Sequence, residues 1–420
     1  MTVTLLAAAA ALLLLLLPAP AARAQLQPDA PLHVVSDAGV LARFPLAYCL
    51  DGTRPAFYWR RATSPAAQTK WRIHMRGGGW CQTVEACAAR SLTNAGSSAY
   101  STPYFNGSRD SDFGLMGPAE AGGMGAWHMV FSVYCDGSSY SGAREAPLPV
   151  PPATAAELGL APGAALWFRG ADVMPAIFAE LEALAGLQSL ATDVVLTGTS
   201  AGGLATFVHA PRLAALLPPT ADVVAAPDAG AFVDLADVYG AHSWAASLQA
   251  SHALWNATVG AACAAARAPT GDAWRCLLPE VAYASAPAAP RTFVVQSLSD
   301  PTGAGIVIRL PCSFAAGKCN ASMLAALQRY SDGVADAIVG AQAAGGAARA
   351  EDGFFLTTCA QHEETCADGD WAGISVGGAT MAQAFAQWRT RAAAPADSRR
   401  RDVPWPGDGS CSPAARHGGC

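Results

Sequence analysis

The strongest constraint on the fold lies near the middle of the chain. There Asp193-Val-Val-Leu-Thr-Gly-Thr-Ser-Ala-Gly-Gly-Leu204 passes from apolar residues into a cluster of small ones. Gly198-Thr-Ser-Ala-Gly202 fits the pattern G-x-S-x-G. The Val and Leu run predicts a buried strand over 193–197, and residues 201–216 predict a helix kinked or broken at Pro211. A strand that turns at once into a helix leaves no room for side chains where the two backbones cross, which accounts for the glycines. The same turn exposes the Ser200 hydroxyl and aims the Ala201 N–H at the place where a tetrahedral oxyanion would form. Ser200 is the candidate nucleophile; the competing reading is a glycine-rich turn with no chemistry.

Short strands are also predicted over 57–60, 71–75, 127–134, 223–226, 293–296 and 354–357, with an edge strand over 166–169. Helices are predicted over 82–92, 172–187, 243–253, 321–344 and 378–391. Strands alternating with helices describe one α/β sheet covered on both faces. Of the 420 residues, 52% are hydrophobic and 14% charged, against about 25% charged in ordinary soluble chains. Such a chain can bury a large core. With a net charge of -6 it offers no broad phosphate-binding surface, so a nucleic-acid partner is not expected.

A serine nucleophile needs a base, and the base needs an orienting acid. In this kind of sheet they follow in the order Ser, acid, His. His362 lies just past the strand at 354–357, in Cys359-Ala-Gln-His-Glu-Glu-Thr-Cys366, and is the candidate base. His209 falls on the helix behind the elbow and reads as a core or surface residue. His242 and His252 have no acid at a suggestive position, and His417 lies near the chain end. Asp300 closes the strand-loop segment Phe293-Val-Val-Gln-Ser-Leu-Ser-Asp300 and is the candidate acid. Asp228 is its rival, or else shapes the pocket through bonds to backbone; Asp234 and Asp237 are poorer rivals. Gly77-Gly78-Gly79-Trp80 follows an early strand, where backbone N–H groups can complete an oxyanion hole, unless it is merely a tight turn. Trp80, Tyr104, Phe105, Trp127, Tyr140 and Phe232 are candidates to line an acyl pocket. Acyl transfer by these groups requires no metal or cofactor.

Leu5 to Leu17 is an unbroken run of Leu and Ala, short of the roughly 20 residues a membrane-spanning helix needs. Pro18 and Pro20 end it, and Ala22-Arg23-Ala24 supplies small residues at a cleavage site, so residues 1–24 read as a secretory signal peptide. All twelve cysteines follow it, an even number suited to pairing in an oxidising compartment. The near neighbours Cys81/Cys87, Cys263/Cys276, Cys312/Cys319 and Cys359/Cys366 are candidates for local pairs. Asn106, Asn256 and Asn320 head N-x-S/T acceptor sites. Residues 25–394 read as one domain and 395–420 as a Pro-, Arg- and Gly-rich surface tail. The expectation is a secreted extracellular or cell-wall monomer without stable membrane insertion.

Taken in order, these segments resemble the pectin acetylesterase family, which also contains the Notum carboxylesterases. The resemblance rests on Tyr48-Cys-Leu-Asp-Gly52, Gly77-Gly-Gly-Trp-Cys81, Tyr134-Cys-Asp-Gly137, Ser139-Tyr-Ser-Gly142, Phe168-Arg-Gly170, Gly198-Thr-Ser-Ala-Gly-Gly203, Asp228-Ala-Gly230, Asp300 and Cys359-Ala-Gln-His362. It implies an α/β-hydrolase-like fold with a mostly parallel central sheet and disulfide-stabilised loops. It also implies a Ser200–Asp300–His362 triad and an oxyanion hole from Gly78, Gly79 and Ala201. Trp80, Tyr140, Asp228 and Phe232 are the candidates to lie beside the substrate. Plant members remove acetyl groups from pectin. The chain departs from the family at Arg76, where an acid is usual, and at Thr199 before the nucleophile. Three functions stay open: a deacetylase of an extracellular polysaccharide, a Notum-like lipid deacylase or general carboxylesterase, and a non-catalytic binding protein on the same scaffold.

Overall fold

A computed structural model describes residues 30–103, 114–117, 122–286, 290–313, 317–404 and 411. The leader at 1–24, the aromatics Tyr104 and Phe105, and Asn106 lie outside the described residues. Nine strands form the central sheet: β1 (Leu32–Val34), β2 (Ala56–Arg60), β3 (Lys70–Met75), β4 (His128–Ser132), β5 (Asp193–Thr199), β6 (Asp222–Asp228), β7 (Arg291–Ser297), β8 (Gly353–Thr357) and β9 (Arg399–Arg401). Their spatial order is β1-β2-β4-β3-β5-β6-β7-β8-β9. Pairings β1–β2 and β2–β4 are antiparallel, and every pairing from β4 onward is parallel. This is the α/β class with a mostly parallel sheet that the sequence predicts.

Residue alternation along the strands explains why the sheet is covered twice. On β5, Val194 and Leu196 enter a core shared with Ile177 and Leu181 of the helix Gly170–Ala185. Val195 enters the opposite core with Phe385 and Trp388 of the helix Met381–Arg389. Neighbouring side chains point to opposite faces, so an apolar residue at every position requires a helix on each side.

Three expectations need correction. Residues 166–169 do not join the central sheet: only Ala165–Leu166 is extended, paired with Leu148–Pro149, because the chain enters a helix at Gly170. The segment after 394 is not wholly a surface tail, since β9 extends the sheet by pairing with β8 in register Phe354↔Arg399. Cys359 bonds to Cys411 rather than to Cys366, tying the last described residue to the end of β8. The pairs 81–87, 263–276 and 312–319 form as expected, Cys49 joins Cys135, and Cys366 is disulfide-bonded as well. Among the described residues no helix is long and apolar enough to cross a membrane.

Candidate active site

Five adjacent parallel strands end on the same edge of the sheet, and each delivers one part of the site. This is the edge at which open α/β sheets bind ligands.

β5 carries the candidate nucleophile. Ser200 follows it directly at φ 55° and ψ -121°, a backbone conformation costly for any residue with a side chain. Its N–H donates to the main-chain oxygen of Asp228 at 3.0 Å, which holds the elbow against β6. The helix behind it, α1 (Ala201–Ala214), runs so close to β3 that a Cβ on Gly202 would fall 1.8 Å from the Met75 carbonyl oxygen. Only glycine lets the elbow form here. Pro211 sits inside this helix, one turn from its end, and does not break it.

β3 delivers the glycine run. Gly77 faces Ser200 so closely that a Cβ would stand 2.7 Å from the serine Cβ and 2.4 Å from the Thr199 oxygen. The carbonyls of Gly78, Gly79 and the preceding Arg76 are taken up by side-chain donors. Tyr134 donates its hydroxyl to the Gly79 oxygen at 2.8 Å, Arg90 donates to the Gly78 and Gly79 oxygens, and Tyr140 donates to the Arg76 oxygen at 3.2 Å. Among the described residues the N–H groups of Gly78 and Gly79 donate to no protein acceptor. They are available donors beside the serine.

β7 and β8 deliver the candidate acid and the candidate base. Their ends are fastened together: Leu298 N–H donates to the Thr357 oxygen at 2.8 Å, the Ser299 hydroxyl to the Thr358 oxygen at 2.6 Å, and the Ser297 hydroxyl to the Cys359 oxygen. Asp300, just beyond β7, begins the helix α2 (Pro301–Val307). Its Oδ1 accepts from Thr302 and Gly303 N–H, and its Oδ2 accepts from His362 Nδ1 at 2.7 Å. Burial pulls the imidazole's pKa down, but the Asp300 charge and hydrogen bond, with Glu363 and Asp228 adding, outweigh it and raise the value to about 9. Glu363 Oε1 lies 3.9 Å from the imidazole's other nitrogen, Nε2. On its other side the ring meets Phe232 at 6.4 Å, and Phe232 packs edge-on against Trp80 at 4.9 Å.

The chain matches the pectinacetylesterase family over residues 25–412. It belongs to that family. Over 360 residues it is 29% identical to pectin acetylesterase 11 of Arabidopsis thaliana, a stretch covering 81% of this chain and 84% of the relative. A shorter match to pectin acetylesterase 5 of the same plant is 37% identical over 196 residues, 46% of this chain and 41% of that one. The crystal structure of the Wnt deacylase Notum from Drosophila superposes with a TM-score of 0.71 at 17% identity, covering 91% of this chain and 99% of that one, a likeness of fold. As a pectinacetylesterase, the chain is an ester-hydrolysing enzyme.

Not every candidate residue of this pectinacetylesterase stands where the sequence suggests. Tyr140 is 1% exposed, with its hydroxyl bonded to Ser132 at 2.7 Å and to the Arg76 oxygen, so its polar end is spent on holding the residue before the glycine run. Trp127 lies at the opposite edge of the sheet, under Lys70 and Arg389. Trp80 reaches the imidazole only through Phe232, its ring packed against Phe232 and Trp244 and its Nε1–H donating to Ser139 at 2.7 Å. Asp228 does not touch His362 Nδ1; its carboxylate is bonded to Thr365 instead. His209 is a buried core residue bonded to Ser141 at 2.8 Å. His242 does have an acid, Asp234 at 2.6 Å, but this pair is distinct from the Asp300–His362 pair. Asn256 and Asn320 are exposed, at a helix end and a helix start. Among the described residues no group of His, Cys, Asp and Glu is placed to hold a metal.

Sequence reading misses Arg90 and Tyr134, which turn the glycine carbonyls, and Thr365, which fastens the histidine loop. Tyr134 lies in a recognisable segment, Tyr134-Cys-Asp-Gly137, but nothing local reveals its partner.

Proposed function

We propose that this chain is a secreted serine carboxylesterase that removes acetyl groups from an extracellular or cell-wall polysaccharide such as pectin, working as a monomer. His362 Nε2 accepts the Ser200 proton as the hydroxyl oxygen attacks the ester carbonyl. Asp300 keeps the proton of the imidazole on Nδ1 and stabilises the cation. The N–H groups of Gly78, Gly79 and Ala201 receive the oxyanion. The imidazolium then protonates the departing sugar oxygen, and a water activated by the same base releases acetate.

The observation that carries this reading is the 2.7 Å Asp300–His362 bond, formed at the sheet edge where the strained Ser200 elbow and the glycine run also end. The acetyl assignment draws on the Arabidopsis relatives, which are named pectin acetylesterases. Secretion draws on the leader and on the extensive disulfide pairing. The test is hydrolysis of an acetyl ester with acyl chains of increasing length, together with covalent labelling by an organophosphonate. Labelling at Ser200 and a preference for acetyl over chains of eight carbons support the reading. An unlabelled Ser200 rejects the mechanism, and preference for long chains replaces the polysaccharide substrate with a lipid-modified one.

A further inference from the structure

The nucleophile and the base come from segments far apart in the chain, and something must set them in register. Asp228, the last residue of β6, is bonded to both segments. Its main-chain oxygen accepts the Ser200 N–H at 3.0 Å. Its carboxylate Oδ2 accepts the N–H of Thr365 at 2.7 Å and the Thr365 hydroxyl at 2.8 Å, three residues beyond His362. The chain is bent on either side of this bridge, with Ala229 at φ 48° and Glu363 at φ 64°, both in the left-handed region.

A turn-stabilising role alone leaves one feature unexplained. A neutral asparagine oxygen would accept the same two bonds. The chain instead buries a carboxylate with no solvent exposure, whose second oxygen, Oδ1, has no hydrogen-bond partner among the described residues. Burying a partly unsatisfied carboxylate costs stability. The compensation lies in its surroundings. Three carboxylates act on the base: Asp300 at the start of α2, Glu363 on the histidine's own loop, and Asp228 from β6. His362 is the cation they face.

We propose that Asp228 is a positioning residue of this site, holding the histidine loop in register with the nucleophile elbow and supplying charge against which His362 gains and loses its proton. This rests on the triad reading above. Burial raises the Asp228 carboxyl to about 7, opposed by the Thr365 bonds and the His362 charge and assisted by Glu363, so it changes charge within the working range of the base. Ionised Asp228 favours imidazolium, the form needed in the transition state.

The test compares Asp228→Ala, Asp228→Asn and Thr365→Val with the native chain, using 4-nitrophenyl acetate from pH 5 to 10, organophosphonate labelling and thermal melting. A native chain that the organophosphonate fails to label sinks the triad reading itself, independently of Asp228. Given labelling, Asp228→Ala is expected to lower kcat by roughly 10- to 100-fold with KM little changed, as misregistered catalytic groups do. Asp228→Asn keeps an acceptor for Thr365 and is expected to recover most of that loss at its optimum, with the acid limb of the profile displaced to lower pH. Thr365→Val removes one strand of the bridge from the other side, leaves Asp228 in place, and is expected to give an intermediate loss, which keeps the test decisive if Asp228→Ala does not fold. Unchanged kcat in Thr365→Val and Asp228→Ala, or equal losses in the Asn and Ala variants with an unmoved acid limb, would overturn the proposal.

Discussion

Asp300 and His362 are joined by a 2.7 Å bond, and the carboxylate that makes it also starts a helix. One oxygen accepts from the imidazole and the other from two N–H groups of the first turn of α2. The cap fixes the side chain's rotamer, so the oxygen facing the ring is already aimed before substrate arrives.

Two substitutions separate these tasks. Asp300→Asn retains a capping oxygen but turns an N–H₂ group toward Nδ1, which favours the wrong tautomer. It should lower kcat by roughly 10⁴-fold with little change in Tm. Asp300→Ala also loses the cap and should melt earlier by about 1 kcal/mol of stability. Equal melting of the two variants would dismiss the capping role; near-native turnover by the Asn variant would dismiss Asp300 as the acid.

Replacing Ser200 by alanine should remove hydrolysis by at least ~10³-fold while preserving fold and Tm. The strained φ of 55° remains in either case, because it belongs to the elbow and not to the side chain. Native-like turnover of an acetyl ester by this variant would remove Ser200 from the mechanism.

Much of this arrangement is legible from local pattern. The strand-elbow-helix at 193–214, the candidate acid after β7 and the candidate base after β8 each follow from a short apolar run ending in a turn. What escapes are relations between distant segments. Arg399-Arg-Arg401 has no strand pattern, since β9 is an edge whose side chains face largely outward and whose order comes from backbone bonds to β8. Tyr140 and Trp80 look equivalent as aromatics near glycines, yet one is enclosed beneath the loop and the other packs on Phe232, the ring that faces His362, a difference set by which way each side chain leaves the backbone. The Asp228–Thr365 bridge and the Cys359–Cys411 bond have no local signature, because their partners come from different segments.

The pH dependence follows from the His362 environment. Its folded value, about 9, lies above the ordinary 6.5, so the cation's contact with Asp300 stabilises the fold fully below 6.5 and that contribution is lost as pH rises through about 9. Catalysis has the opposite sign, because the base must be neutral: kcat/KM should climb through the same interval, with its acid limb above 6.5. Glu363, 3.9 Å from Nε2, is one source of the elevation, and Glu363→Gln should move the limb down by roughly one pH unit. A limb at or below 6.5 in the native chain, or one indifferent to Glu363→Gln, would contradict this account of the site.

The disulfides differ in what they hold. Cys359–Cys411 anchors the loop that carries His362, whereas Cys312–Cys319 closes a small loop between α2 and the long helix Ala321–Ala344. Replacing both cysteines of the first pair by alanine should lower kcat together with stability, the latter by ~2–4 kcal/mol. The same change in the second pair should affect melting alone. Comparable kcat in the two double variants at a temperature where both are folded would show that the histidine loop does not need its tether.

The glycine run offers a graded test of how tightly the oxyanion donors must be placed. A methyl group on Gly77 would meet the Thr199 oxygen at 2.4 Å and the Ser200 Cβ at 2.7 Å, and neither backbone nor elbow can yield without moving the nucleophile. Gly77→Ala should therefore lower kcat by roughly 100-fold with a smaller effect on KM. At Gly79 nothing lies within 4 Å of the added carbon, but φ is +67°. Gly79→Ala thus meets only backbone strain of about 1–2 kcal/mol, which should appear in Tm more than in kcat. The reverse order, with Gly79→Ala the more damaging to turnover, would mean that conformational freedom at Gly79 during the reaction matters more than the packing of Gly77 against the serine.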